Sequence, residues 1–228
     1  MVDLTASTQS DLLSLANSKQ LEAGEVIVAE YQSAGRGRLD RTFEAASGTA
    51  LLFSFYVSPK REKNEWGFIT QLAALTMHEN IAPDLPVECS VKWPNDILIG
   101  EKKVAGLLAQ VTEGGVIVGI GLNVEMGIEE LPVTTATSLK ISGSNNLNRN
   151  ILLSNFLNAF EFNFRKWDAG EDFIDRYAAI CSTLGRPVNI EVAGRESRSG
   201  VADSINKFGA LVLTDGFEVT IGDVVHLR

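Results

Sequence analysis

The hydrophobic pattern predicts an α+β fold: a mixed, largely antiparallel sheet packed by helices, followed by a small C-terminal β-barrel. Three observations lead there. Between residues 87 and 122, short apolar runs are joined by turns too tight for anything but antiparallel pairing. Two longer stretches, near 66–81 and 150–167, have apolar residues at helical spacing and supply helices to cover the sheet. After residue 185 the helical period disappears and five short strand-like runs follow one another between turn residues, which is barrel-like patterning.

Taken in order, Thr8 or Ser10 can cap a helix running to about Gln20, with Leu12, Leu13, Leu15 and Ala16 inward and Gly24 closing the turn. Glu25 to Tyr31 and Thr49 to Val57 are β-rich. Trp66 to Ile81 is helical until Pro83 and Pro86. Strands are then expected at Val87 to Trp93, Ile97 to Ile99, Lys103 to Val111 and Val116 to Leu122, and loop from Glu125 to Arg149. Asn150 to Trp167 presents Leu152, Phe156, Phe160 and Phe164 on one helical face, and Asp172 to Ser182 is a second, shorter helix. Strands at Pro187 to Val192, Ser199 to Ile205, Ala210 to Leu213, Phe217 to Ile221 and Val224 to Leu227 complete the chain. The boundary falls at Leu184-Gly185, giving domains 1–184 and 185–228.

Composition narrows the function. A chain of 228 residues with 45% hydrophobic content can bury a substantial core. A net charge of −9 argues against a surface that grips DNA, RNA or an anionic membrane. Cys89 and Cys181 are too few for a disulfide framework and read as buried small hydrophobes. The N-terminus lacks signal-peptide character and no run approaches the ~20 apolar residues of a membrane span. A cytoplasmic protein is expected.

Against this acidic background, positive charge is concentrated in two places. Lys92-Trp93-Pro94-Asn95-Asp96 through Lys103-Val104-Ala105-Gly106 sets two lysines, an Asn-Asp pair and a bare glycine around one hairpin. Gly35-Arg36-Gly37-Arg38-Leu39-Asp40-Arg41 carries three guanidinium groups on a glycine-interrupted segment. Together they suit a pocket that encloses a small phosphorylated anion. The segment around Lys103 lacks the glycine-rich lead and the Ser or Thr of a P-loop. His78 and His226 read as decoration on a helix and a terminal strand.

The ordered set Gly35-Arg36-Gly37-Arg38, Lys92-Trp93-Pro94-Asn95-Asp96, Lys103 before Ala105-Gly106, and Gly119-Ile120-Gly121-Leu122-Asn123 resembles the signatures of biotin protein ligases. The likeness continues through Ala136-Thr137-Ser138-Leu139 to Gly222-Asp223-Val224 and so spans nearly the whole chain. It implies the class II synthetase-like biotin/lipoate ligase fold, an SH3-like C-terminal barrel, and two steps: ATP converts biotin to biotinyl-5′-adenylate, then a lysine of a biotin carboxyl carrier domain takes the biotinyl group. Mg²⁺ would accompany ATP. A short monofunctional type is implied, with no DNA-binding domain, acting as a monomer or homodimer away from DNA and membranes.

By the same resemblance Arg38 and Lys103 are catalytic, Arg38 at the α-phosphate and Lys103 beside the biotin carboxylate. Ser7, Thr8, Gln9 and Gln32 meet the ureido end of biotin, while Gly35, Arg36, Gly37, Gly106, Gly119 and Gly121 complete its enclosure. Arg36, Arg41, Phe43, Lys92, Trp93, Asn95, Asp96 and Asn123 serve ATP or the adenylate. Asp96 is the metal candidate, although Asn95-Asp96 also reads as a plain turn after Pro94. Four positions at three sites depart from the family pattern: Gln9 replaces a usual Asn, Leu39-Asp40 a frequent Arg-Gly, and Phe43 an aromatic that is often Trp. A lipoate protein ligase and a non-transferring sensor of biotin or its adenylate are the alternatives.

Overall fold

The computed structural model describes residues 1–18, 21–38, 41–191, 197–220 and 222–227. The expected helix end at Gln20, the Leu39-Asp40 departure and the strand ends at Val192 and Ile221 lie outside them.

Seven strands form the main sheet: β1 (Val2–Thr5), β2 (Val26–Gln32), β3 (Ala50–Val57), β4 (Cys89–Lys92), β5 (Asp96–Ile99), β6 (Lys102–Val111) and β7 (Val116–Asn123), in the order β1-β2-β3-β7-β6-β5-β4. Among the described residues β1 and β2 are the one parallel pair of neighbouring strands in this sheet. Strand β1 was not expected from the sequence. Its four residues, three of them exposed at a sheet edge, alternate as Val2-Asp3-Leu4-Thr5 over a run too short to stand out as a strand.

Helices cover both faces. On one side lie α2 (Ile69–Ile81), α3 (Arg149–Asp168) and α4 (Ile174–Ala178); on the other, α1 (Thr8–Asn17) shields Tyr56 and Ile117 through Leu12, Leu13 and Ala16. This explains why all eight residues of β3 are buried. Leu51, Phe53, Phe55 and Val57 enter the main core, while the alternate positions Ser54 and Tyr56 turn toward the opposite face. Helix α3 begins where the Asn148 side chain accepts from the Asn150 and Ile151 amides, then sets Phe156 and Phe160 edge-on against Phe53 and Phe55. Helix α4 is shorter than expected. Past Ala178 the chain is drawn into sheet-like bonding, with Val91 N donating to Ile180 O and Ser182 N to Val91 O.

The expected C-terminal barrel is not formed. Strands β8 (Pro187–Glu191), β9 (Arg198–Ile205), β10 (Leu211–Leu213), β11 (Glu218–Val219) and β12 (Asp223–His226) make an open antiparallel sheet in the order β11-β10-β9-β8-β12. Closure requires the two edge strands to pair, and among the described residues β11 and β12 do not. Strand β11 has only two residues, and the start of β12 is turned instead toward the main sheet, where Gly222 O and the Asp223 carboxylate receive Arg38 and Arg41.

One continuous apolar core joins the sheets, from Phe68 and Trp93 to Val188, Leu211 and Val224. Their contact is close: a Cβ on Gly67 would lie 2.4 Å from Phe208 O, and Gly209 takes φ +78° beside it. Trp93 Nε1 (3.0 Å) and Gln71 Nε2 (3.3 Å) both donate to Gly209 O. No helix among the described residues is long and apolar enough to cross a membrane.

Candidate active site

A cleft lies on the α1 side of the main sheet, enclosing about 750 Å³ including its open mouth, a size that suits a small-molecule substrate. Strand β7 contributes Gly119 and Gly121, β6 contributes Lys103 and Gly106, and the N-terminus of α1 contributes Ser7, Thr8 and Gln9. The arms Gly35–Arg38 and Arg41–Phe43 pair as a hairpin that closes one side, with Phe43 N donating to Gly35 O and Gly37 N to Arg41 O.

The α1 end is polar and partly unpaired. Thr8 donates to Gln32 Oε1 from its amide (2.8 Å) and its hydroxyl (3.1 Å), and that hydroxyl also meets Ser54 Oγ at 2.7 Å. Beside this network Ser7 Oγ and Gln9 Oε1 are buried without a hydrogen-bond partner. Ser7 is the N-cap of α1, but its hydroxyl makes no capping bond. A buried oxygen left unpaired costs about 1–3 kcal/mol, so both atoms are set for a ligand's N–H or O–H groups. A Cβ on Gly119 would lie 2.6 Å from Gln9 Oε1, which explains glycine there.

The other end carries the cations. Lys103 Nζ contacts Asp96 Oδ1 at 2.6 Å, an ionic contact lacking the alignment of a hydrogen bond. Asn95 is fixed by its Nδ2 donating to Leu107 O at 2.7 Å, and its Oδ1 accepts from Arg38 Nη1 at 3.2 Å. Arg38 Nη2 donates to Gly222 O at 3.1 Å. Burial lowers the pKa of the Arg38 guanidinium, and Asp223 and Asp96 act in the opposite direction. A poorly hydrated guanidinium facing a cleft interacts more strongly with an entering anion than it would in water.

Of the residues picked out from the sequence, the cleft wall unites Ser7, Thr8, Gln9, Gln32, Arg36, Gly37, Arg38, Arg41, Phe43, Asn95, Asp96, Lys103, Gly106, Gly119 and Gly121. Four do not line it. Gly35 opens the hairpin and borders a neighbouring hollow, and a Cβ there would strike Phe43 O at 2.3 Å. Lys92 borders an adjoining hollow between Asn95 and β12. Trp93 is 1% exposed and buried against Gly209, and Asn123 is buried with its Nδ2 donating to Thr137 O. Sequence reasoning missed Ser54 and Asp223. Ser54 had a signal, a lone hydroxyl inside an apolar strand; Asp223 stood within the Gly222-Asp223-Val224 likeness without being marked as a site residue.

Cations at one end of a sheet-floored cleft and unpaired polar atoms at the other make the arrangement of an acid-activating ligase. The chain belongs to the biotin/lipoate A/B protein ligase family, whose model matches residues 1–126. It is 36% identical over 236 residues to the biotin–[acetyl-CoA-carboxylase] ligase of Mycobacterium tuberculosis, covering all of this chain and 88% of that protein. To the bifunctional ligase/repressor BirA of Escherichia coli it is 26% identical, with 92% of this chain and 68% of that one covered. The biotin protein ligase of Aquifex aeolicus, solved in complex with biotin and ATP, superposes with a TM-score of 0.82 at 27% identity over 100% of this chain and 97% of that one.

Proposed function

We propose that this chain activates biotin with ATP to biotinyl-5′-adenylate, releasing pyrophosphate, and transfers the biotinyl group to a lysine of a biotin carboxyl carrier domain. One observation carries the reading: a single cleft has Lys103 and Arg38 at one end and the unpaired Ser7 Oγ and Gln9 Oε1 at the other. The Aquifex aeolicus enzyme, of the same fold, holds both biotin and ATP.

Activation brings a carboxylate against a triphosphate, and the cations offset their repulsion. Lys103 serves as a point charge between the carboxylate and the α-phosphate, while the Arg38 fork holds the phosphate oxygens. The ureido group, one acceptor and two donors, suits the Thr8, Ser7 and Gln9 end. Transfer needs only a neutral acceptor lysine held in line with the mixed anhydride, so proximity supplies much of the rate. Among the described residues no cluster of three acidic, His or Cys groups could hold a metal ion. Mg²⁺ accompanying ATP would be held by the triphosphate oxygens, with Asp96 able to add one oxygen, and would supply neutralisation of phosphate charge. Residues 1–184 are read as the catalytic unit and 185–228 as a smaller β unit, acting together in the cytoplasm.

The test is to combine the protein with biotin, Mg-ATP and a carrier domain, with lipoate in a parallel arm, and to measure pyrophosphate and carrier mass. Biotin-dependent release and mass gain, lost in Arg38→Ala and Lys103→Ala, are expected. Binding without pyrophosphate would indicate a sensor, and transfer of lipoate alone would overturn the substrate.

A further inference from the structure

Asp223 takes no part in the chemistry above, yet two cations of the candidate site converge on it. Its side chain, 17% exposed, pairs with Arg41 and lies 3.9 Å from Arg38 Nη1. The preceding carbonyl, Gly222 O, accepts from Arg38 as well. Among the described residues, the side-chain bonds that Arg38 and Arg41 make outside their own hairpin end on Asn95, Gly222 and Asp223.

The hairpin is closed internally by Gly37 N to Arg41 O (2.7 Å), Arg41 N to Arg38 O (3.1 Å) and Phe43 N to Gly35 O (3.0 Å). These backbone bonds do not involve the C-terminal sheet, whereas the side chains of Arg38 and Arg41 are held by Asn95, Gly222 and Asp223. Two guanidinium groups on one short hairpin repel each other, and a carboxylate between them offsets that repulsion and fixes their spacing. The pair adds little to overall stability, since the Arg41 side chain is 70% exposed. What it supplies is orientation. The sheet that carries Asp223 is a firm base, seated against Gly67 and bonded through Gly209 O to Trp93 and Gln71.

We infer that Asp223 is a positioning residue, the latch by which the C-terminal sheet holds Arg38 and Arg41 over the cleft to receive the ATP phosphates and to cover the adenylate. This rests on the ligase reading above. The side-chain partners of the carboxylate are Arg38 and Arg41, at the cation end of the cleft, so its loss should act chiefly on nucleotide capture and adenylate retention.

The experiment compares the full-length wild type with Asp223→Asn and Asp223→Glu, measuring KM for ATP, KM for biotin, and pyrophosphate released per biotin transferred. For Asp223→Asn we expect KM for ATP to rise about tenfold, or ~1.4 kcal/mol. KM for biotin should stay within about twofold, and excess pyrophosphate should appear as adenylate escapes and hydrolyses. Asp223→Glu should recover most of the coupling. An Asp223→Asn protein with unchanged ATP KM and coupling would overturn the inference, as would a lower ATP KM, which would make Asp223 a competitor of the phosphates. Should Asp223→Asn fail to fold, the pairing is read from Arg41→Gln, which must show the same rise in ATP KM and the same leak. A wild type that releases no pyrophosphate with biotin and ATP sinks the ligase reading itself, a result distinct from any difference among variants.

Discussion

Lys103 Nζ stands 2.6 Å from Asp96 Oδ1 directly over Gly106, the residue that faces Asp96 across the β5–β6 ladder. A Cβ on Gly106 would lie 3.0 Å from both Cε and Nζ of Lys103, so the missing side chain is the seat of the ammonium. Lys103→Gln keeps much of the bulk and removes the charge. Pyrophosphate release should fall by roughly 10²–10³, the usual loss for one preorganised electrostatic group, and by more than biotin affinity, which loses only the ground-state contact to the carboxylate. Gly106→Ala, which displaces the same group, should lose on the order of tenfold. Rapid-quench measurement of adenylate formation checks both, and near-normal formation in Lys103→Gln would remove the residue from the chemistry.

Gly119 makes the corresponding argument at the other end. A Cβ there would meet Gln9 Oε1 at 2.6 Å and Ser54 Oγ at 3.0 Å. Alanine must therefore push Gln9 aside and disturb the Ser54–Thr8–Gln32 network. Biotin affinity should drop about 10- to 100-fold, or ~1.4–2.8 kcal/mol, with ATP KM and melting temperature nearly unchanged. Calorimetric titration with biotin decides. Equal losses for biotin and ATP would mean that the substitution distorts the whole cleft.

The sheet was legible because its strands obey period two and its turns are short; β5, β6 and β7 fall within a residue or two of where alternation sets them. Much of the cleft wall was legible too, because glycines between apolar strand residues and arginines between glycines are hard to explain by packing. What was not legible depends on partners distant in sequence. The open C-terminal sheet follows from the start of β12 bonding to a hairpin more than 180 positions earlier in the chain, Gly222 to Arg38. Trp93 sits within a motif full of ligand-like residues, yet its indole is spent on Gly209 O. Periodicity reports which residues are buried, and it cannot report which buried indole finds which carbonyl.

The contact between the two sheets should be costly to disturb. A Cβ on Gly67 would lie 2.4 Å from Phe208 O, and backbone cannot retreat as a flexible side chain would. Gly67→Ala should destabilise the protein by about 1–3 kcal/mol, as overpacking does. Trp93→Phe loses one hydrogen bond, which Gln71 partly covers at Gly209 O, and leaves a small cavity where the buried indole stood, so about 1–3 kcal/mol is expected. Urea unfolding followed by fluorescence gives both values. A larger loss for Trp93→Phe than for Gly67→Ala would show the indole, rather than the close approach, to be what holds the sheets together.

His226 links this contact to pH. Its pKa is pulled down to about 4, first by burial and then by the positive charges of Lys92 and Arg186. The local bonding is compatible with this: Trp93 N donates to Thr183 Oγ1 at 3.0 Å, and the same hydroxyl lies 3.1 Å from His226 Nε2, to which it can donate when that ring nitrogen is bare. In the unfolded chain the same imidazole titrates near ~6.5. Between the two values the unfolded state binds more protons, so stability rises with pH across this window and is lost as pH falls from about 6.5 toward 4. Because the ring is partly exposed, solvent screening reduces the effect to about 1 kcal/mol. Carboxylates elsewhere also titrate at the acid end, so the diagnostic quantity is the difference between wild type and His226→Gln. Urea midpoints at about pH 7 and about pH 5 should fall further for the wild type than for the variant. Parallel declines would mean that His226 protonates as easily in the fold as outside it, and that Thr183 donates its hydrogen elsewhere.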